Sequence, residues 1–310
     1  MFNRLRYRSW LALSLLAFVG PAAADDYKSY HIGNSLTWDS QPEGLAAMSG
    51  TQGRTHEVGY HVRSASSLDM IAADDVTTIP VVEDFGLWRD ALPGHNFDAI
   101  VMQPHPTATS TLLSDQTIIA EMIDAAIGGA NSYADTRFFI YQAWPRLGDR
   151  FVPVWDYTNN YVVSTDDADD TITATTRDYF DHLLARVKTA RPDAQVELIP
   201  VGEVFYEIDQ RLKSGELVLP GFDEAGDFYR DNVHLSSTGR WVAANAVYAA
   251  MFGNNPGGVL PVPEGEFESS QLTPELAAEL QSVVFEIVPE PGSMTLLAGL
   301  GLLLARRRRA

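Results

Sequence analysis

Three short runs, Phe97-Asp98-Ala99-Ile100-Val101-Met102, Phe138 to Tyr141 and Val196 to Val201, constrain this chain most. Each is too short for a membrane-spanning helix and too continuously apolar for one face of a surface helix, which leaves a strand covered on both sides. Tyr27 to Ile32 and His56 to Val62 instead alternate apolar and polar residues, as half-buried strands do. Helical stretches separate the strands: Gln41 to Met48, Ser67 to Ala73, Phe85 to Leu92, Asp115 to Ala130, Thr173 to Ala190 and, after the last strand, Trp241 to Met251. In Asp115 to Ala130 the residues Ile118, Ile119, Met122, Ala126 and Ile127 fall on one helical face, with Ser114 as the expected cap. Strands that alternate with helices in this way build a parallel sheet with helices on both faces.

The two ends do not belong to that sheet. Arg4, Arg6 and Arg8 precede the apolar run Trp10 to Val19 and then Pro21-Ala22-Ala23-Ala24. This is the charged region, apolar region and small-residue cleavage site of a signal peptide, so residues 1–24 are expected to be removed. Val288-Pro289-Glu290-Pro291 is followed by the apolar run Met294 to Ala305 and by Arg306 to Arg309. Residues 288–310 resemble a PEP-CTERM sorting signal. That resemblance implies export, transient membrane contact through the C-terminal helix with the arginines inside, and removal by a processing enzyme. The expected location is the periplasm, the cell surface or the extracellular matrix.

Between the ends, residues 25–253 form the main domain and residues 254–287 a linker with a C-terminal helix. Asn254 to Gly265 is rich in Pro and Gly, and Pro274 to Phe285 is an amphipathic helix that either packs on the domain or serves as a stalk. Gly148 to Asp170, rich in aromatic residues and Asp, reads as an insertion near the sheet's edge. The chain of 310 residues has 45% hydrophobic residues, enough for a sizeable core, and no cysteine, so neither a disulfide nor a thiolate metal site is available. Its net charge is −19, and more negative without the terminal arginines, which argues against nucleic-acid and anionic-membrane partners.

The chemistry-bearing residues cluster in two places. His31-Ile32-Gly33-Asn34-Ser35-Leu36-Thr37 ends the first strand, so the Ser35 hydroxyl lies at the C-terminal edge of the sheet. A serine is a weak nucleophile unless a base and an orienting group serve it. Asp231-Asn232-Val233-His234 supplies both, because an Asp three residues before a His at a helix entrance holds the imidazole in the tautomer that a base needs. The seven histidines form neither an HxH nor an HExxH pair, and no metal or other cofactor is expected.

Gly33-Asn34-Ser35-Leu36-Thr37, together with Asp231-Asn232-Val233-His234 in that order, resembles the SGNH or GDSL hydrolase superfamily in its GNSLT form. The resemblance implies a three-layer α/β/α flavodoxin-like parallel sheet and a serine esterase with Ser35 as nucleophile, His234 as base and Asp231 as orienting acid. It also implies an oxyanion hole built from the Ser35 N–H, an N–H of the second block and an amide of the third. Ser64 or Ala65 stands where the second block has glycine. Gln103, in Met102-Gln103-Pro104-His105-Pro106, stands for the third block's asparagine, with His105 as the other choice. The lack of a Gly-x-Ser-x-Gly pentapeptide argues against the other large serine-esterase fold.

Tyr141-Gln142-Ala143-Trp144-Pro145-Arg146 follows a strand, so Trp144 is expected to stack on a sugar ring and Arg146 to meet an anionic group, with His105 as a third substrate-binding residue. Arg63 and His61 flank the second block with structural roles, and Trp38 and Asp39 shape the turn after the nucleophile. Taken together these readings describe an exported esterase acting on acetyl or other acyl esters, the substrate being an acylated polysaccharide or another small ester. The competing reading is a non-catalytic carbohydrate-binding or matrix protein that keeps the fold.

Overall fold

The computed structural model describes residues 26–105, 111–147, 157–161, 176–253 and 272–288. In chain order the elements are β1 (Asp26–Gly33), α1 (Ser35–Asp39), α2 (Pro42–Gly50), β2 (Thr55–Val62), α3 (Leu68–Ala73), α4 (Trp88–Gly94), β3 (Ala99–Met102), α5 (Leu112–Ile127), β4 (Arg137–Tyr141), α6 (Tyr157–Tyr161), α7 (Arg177–Ala190), β5 (Gln195–Ile199), α8 (Val201–Ser214), α9 (Ser237–Phe252) and α10 (Pro274–Ile287). The five strands pair in the order β2-β1-β3-β4-β5, all parallel, with Tyr30 beside Gly59 and Ile100. Every residue of β3 is buried, as expected for a strand with helices on both of its faces.

The helices fall into two packed groups. On one side α3, α4 and α7 each contact α5; on the other α2 and α8 contact α9, and α10 lies over both α8 and α9. This is the flavodoxin-like α/β/α architecture. From Thr238 to Met251 every residue of α9 is buried, because α10 covers what would otherwise be its outer side. Leu276, Leu280, Val283 and Val284 of α10 are buried in return, and burial is worth about 1.5–3 kcal/mol for a Leu or Val side chain. Arg211 of α8 adds an ion pair to Glu286 at 2.8 Å. The C-terminal helix therefore packs on the domain.

Three local expectations change. Val201 opens α8 instead of closing β5: Val201, Val204, Phe205 and Ile208 are buried at helical spacing, and Pro200 occupies the cap. The cap of α5 is Thr111, not Ser114. The two residues form a reciprocal capping box in which the Thr111 side chain accepts from the Ser114 N–H and the Ser114 Oγ accepts from the Thr111 N–H. Pro93 and Gly94 lie in the last turn of α4 instead of just beyond it. Of the expected insertion Gly148 to Asp170, only α6 falls within the described residues, and the linker Asn254 to Gly265 lies outside them.

The strand order reverses between β1 and β3. In open parallel sheets ligands bind outside the carboxyl ends of the strands at such a switch point. Ser35 follows β1 and Gln103 follows β3, so the fold puts both beside it.

Candidate active site

Asn34 organises the turn that carries Ser35. Its side-chain oxygen caps α1 by accepting from the Leu36 N–H at 2.9 Å, and its Nδ2 donates to the Ser66 carbonyl at 2.9 Å. The first bond satisfies a donor that a helix start leaves unpaired; the second ties the turn to the loop after β2. Beneath it, Gln103 Oε1 accepts from the Asn34 N–H and from the Thr37 hydroxyl, both at 3.0 Å. A backbone N–H can only donate, so the oxygen of the Gln103 carboxamide must face it. Gly33 is glycine for the same reason: a Cβ there would stand 2.1 Å from Thr37 Oγ1 and 2.8 Å from Gln103 Cβ.

At the far end of the chain, Asp231 accepts at Oδ1 from the N–H groups of Val233 and His234, both at 2.8 Å. Its Oδ2 lies 2.9 Å from His234 Nδ1, and His234 Nε2 lies 2.9 Å from Ser35 Oγ. Desolvation would raise the Asp231 pKa, but the two backbone donors and the imidazole outweigh it and bring the carboxyl down to about 2. An ionised carboxylate only accepts, so Nδ1 carries the proton and Nε2 offers its lone pair to the Ser35 hydroxyl. Ser35 and His234 are both half-buried.

The segment after β4 holds the Asp231 to His234 loop in place. Trp144 Nε1 donates to the Val233 carbonyl at 2.7 Å, the Leu147 N–H to the Asn232 carbonyl at 2.8 Å, and the Tyr229 hydroxyl to the Pro145 carbonyl at 2.8 Å. Trp144 is fully buried against Tyr141 and Phe205, so it is unavailable to stack on a substrate sugar, which corrects the expectation. Arg146 is exposed. His105 is nearly buried, and desolvation first, then the charges of Arg146 and His234, lower its pKa to about 4; it is neutral near pH 7 and lies within electrostatic reach of both.

The four residues expected at the oxyanion hole have different fates. The Ser64 N–H is taken by Thr78 Oγ1 at 2.8 Å. Ala65 is exposed, has a left-handed backbone with φ of 56°, and its N–H has no partner among the described residues. Left-handed φ favours glycine, although an alanine stands here. The Gln103 nitrogen, expected to be a donor, instead gives a hydrogen bond to the Pro104 carbonyl at 2.8 Å, and the side chain is wholly buried. Its place is under the turn, as a brace. The Ser35 N–H, at the first position of α1, is likewise unpaired among the described residues. Since Asn34 bonds directly to Ser66, the free N–H groups of Ser35 and Ala65 belong to chain segments in contact.

Arg63 donates to the Met70 carbonyl and pairs with Asp74 at 2.9 Å, and His61 Nε2 bonds the Val76 carbonyl at 2.9 Å. Both therefore brace the loop after β2. Among the described residues, no group of three His, Asp or Glu side chains is placed to hold a metal ion.

Fold and site together define a three-layer α/β/α protein with a hydrogen-bonded Ser, His and Asp at the carboxyl edge of its sheet. No protein-family model and no curated protein matches the chain. Among solved structures, the chain is similar to a DUF4886 family protein from Bacteroides uniformis, with a TM-score of 0.52 and 17% identity over 84% of this chain and 94% of that one. That likeness supports the fold. BT4096, described as a gut microbial diltiazem-metabolizing enzyme, has a TM-score of 0.34 at 10% identity, covering 74% of this chain and 47% of that one. The N-terminal part of BF1531 from Bacteroides fragilis, containing a phosphatase domain complexed with Mg, has a TM-score of 0.30 at 11% identity, covering 73% and 52%. These last two likenesses are too loose to bear on the chemistry.

Proposed function

We propose that this protein is an SGNH-type serine hydrolase that cleaves acyl esters. The observation that carries the reading is the pair of 2.9 Å contacts from Ser35 Oγ to His234 Nε2 and from His234 Nδ1 to Asp231 Oδ2. As Ser35 Oγ attacks the ester carbonyl, His234 takes its proton and Asp231 stabilises the imidazolium. The oxyanion is held by the N–H groups of Ser35 and Ala65. Collapse of the tetrahedral intermediate expels the alcohol, which takes the proton from His234. A water activated by the same imidazole then releases the acid and restores Ser35.

Acetyl or other short acyl esters on an exported carbohydrate are the proposed substrates. With Trp144 in the core, this part of the reading is supported by the export and sorting signals and by exposed Arg146 near the site. Export, PEP-CTERM processing and residence outside the cytoplasm are proposed from residues 1–24 and 288–310, of which only Val288 lies among the described residues. Intact-mass analysis of the exported protein tests both cleavages.

The activity is tested with p-nitrophenyl acetate. The purified chain is expected to hydrolyse it and to be labelled at Ser35 by a fluorophosphonate. Ser35→Ala should remove both; equal rates for the two proteins would refute the proposal.

A further inference from the structure

Asp39 closes the one-turn helix that Ser35 opens, and its carboxylate is buried, with 2% of the side chain exposed. Four residues along an α-helix advance about 6 Å and return to nearly the same face. Ser35 Oγ meets His234, while Asp39 Oδ2 accepts from the backbone N–H of Leu235, the very next residue, at 2.8 Å. Two neighbouring residues of the base-bearing loop are thus held by two residues one turn apart in a single helix.

Two arginines complete the grip. Arg240 Nε and Arg230 Nη1 stand 3.5 and 3.6 Å from Asp39 Oδ1, at ion-pair distance. Arg240, nearly buried in α9, also donates to the Trp38 carbonyl at 3.2 Å. The Arg230 N–H donates to the His234 carbonyl at 2.9 Å and its guanidinium to the Leu235 carbonyl at 3.3 Å. The His234 backbone is therefore fixed on both sides by groups that converge on one carboxylate. Nothing in a helix turn requires a charged side chain in this place, and burying it has a desolvation cost that only such partners offset.

We propose that Asp39 is a positioning residue, which sets the distance over which the proton passes between Ser35 and His234 by holding the Leu235 N–H. The inference rests on the serine-hydrolase reading for its effect on rate, but not for its effect on geometry. A displacement of about 1 Å in a reacting pair costs on the order of 100-fold in rate. Asp39→Ala is thus expected to lower kcat for p-nitrophenyl acetate about 30- to 100-fold with KM within about twofold. Asp39→Asn keeps an acceptor for the Leu235 N–H and should recover part of that loss.

Circular dichroism and thermal melting establish that each variant is folded, and the His234 imidazole is followed by proton and nitrogen NMR in parallel. Loss of kcat in folded Asp39→Ala, partly restored in Asp39→Asn, supports the role; unchanged kcat overturns it. If Asp39→Ala does not fold, Asp39→Asn decides, with a wild-type kcat and His234 titration counting against the role. If the wild-type chain neither hydrolyses the ester nor reacts with the fluorophosphonate, the hydrolase reading fails, and the NMR alone decides. A His234 titration that shifts in the folded variant then supports positioning, and an unchanged one overturns it.

Discussion

The indole N–H of Trp144 donates to the carbonyl of Val233 at 2.7 Å, so a buried tryptophan behind β4 holds the residue that precedes His234. The contact joins the core to the loop that carries His234. Trp144→Phe keeps most of the apolar volume but leaves the Val233 carbonyl without this donor. The bond is part-buried, so leaving its acceptor without this partner is expected to cost about 1 kcal/mol, the low end for a buried group. Urea unfolding should show that loss, and ester hydrolysis should fall through kcat with little change in KM. Wild-type stability would count against the bond.

Gly33→Ala should be far more damaging to the site than to the sheet. The new Cβ would displace Thr37 and Gln103, the two side chains that seat the turn carrying Ser35. Overpacking of this kind costs about 1–3 kcal/mol, which a sheet with this core survives. Fluorophosphonate labelling of Ser35 should drop at least tenfold in a protein that still melts cooperatively. Labelling at the wild-type rate would refute this account of the motif's glycine.

Ala65→Gly tests the second oxyanion donor. A left-handed backbone costs an L-residue about 1–2 kcal/mol, while glycine's extra freedom in the unfolded chain costs about 0.5–1 kcal/mol. The substitution should therefore leave stability unchanged or slightly raised. Because the donor is a backbone N–H, hydrolysis should stay within about threefold of wild type. Ala65→Val, whose β-branch resists this φ, should lower kcat. A Val variant as active as the Gly variant would remove Ala65 from the oxyanion hole.

Asp115 gives the stability of the domain a pH dependence of its own. It is fully buried in the first turn of α5, accepts from the Tyr179 hydroxyl, and its Oδ1 has no hydrogen-bond partner among the described residues. Desolvation, opposed by the Tyr179 hydroxyl and reinforced by Asp69, raises its pKa to about 7 from an ordinary 3.8. Between those values the folded protein binds a proton that the unfolded chain does not. This contribution is therefore full below about pH 4 and is lost as the pH rises through about 7. Asp115→Asn should be more stable than wild type at pH 8, with the difference shrinking toward pH 4. A pH-independent difference in urea midpoints would contradict the assignment.

Much of the sheet was legible because the residues themselves carry its burial. Ala99 to Met102 and Phe138 to Tyr141 are apolar without a break, and only a strand with helices on both faces hides them. α8 was missed because Val201 extends the apolar run of β5 across Pro200, although the spacing Val201, Val204, Phe205, Ile208 was there to be read. Ser64 and Ala65 could not be separated by sequence, since backbone N–H groups look alike until Thr78 is seen to occupy one of them. Trp144 misled for a related reason. An aromatic residue after a strand faces the core or the cleft according to neighbours that arrive from elsewhere in the chain, here Phe205 and Val233.

By itself the sequence determined the alternation of strands and helices, the parallel sheet that follows from it, and the residue types gathered in the Ser35 and Asp231 to His234 blocks. These are local properties, written in periodicity and spacing over a few residues. Only the tertiary structure decided that Ser35 and His234 stand 2.9 Å apart, that Gln103 braces the turn from beneath, and that Asp39 grips Leu235. Each of these joins residues distant in the chain. Their meeting depends on the crossover from β1 through β2 to β3 and on the packing of α9, which bring separate loops to the same edge of the sheet.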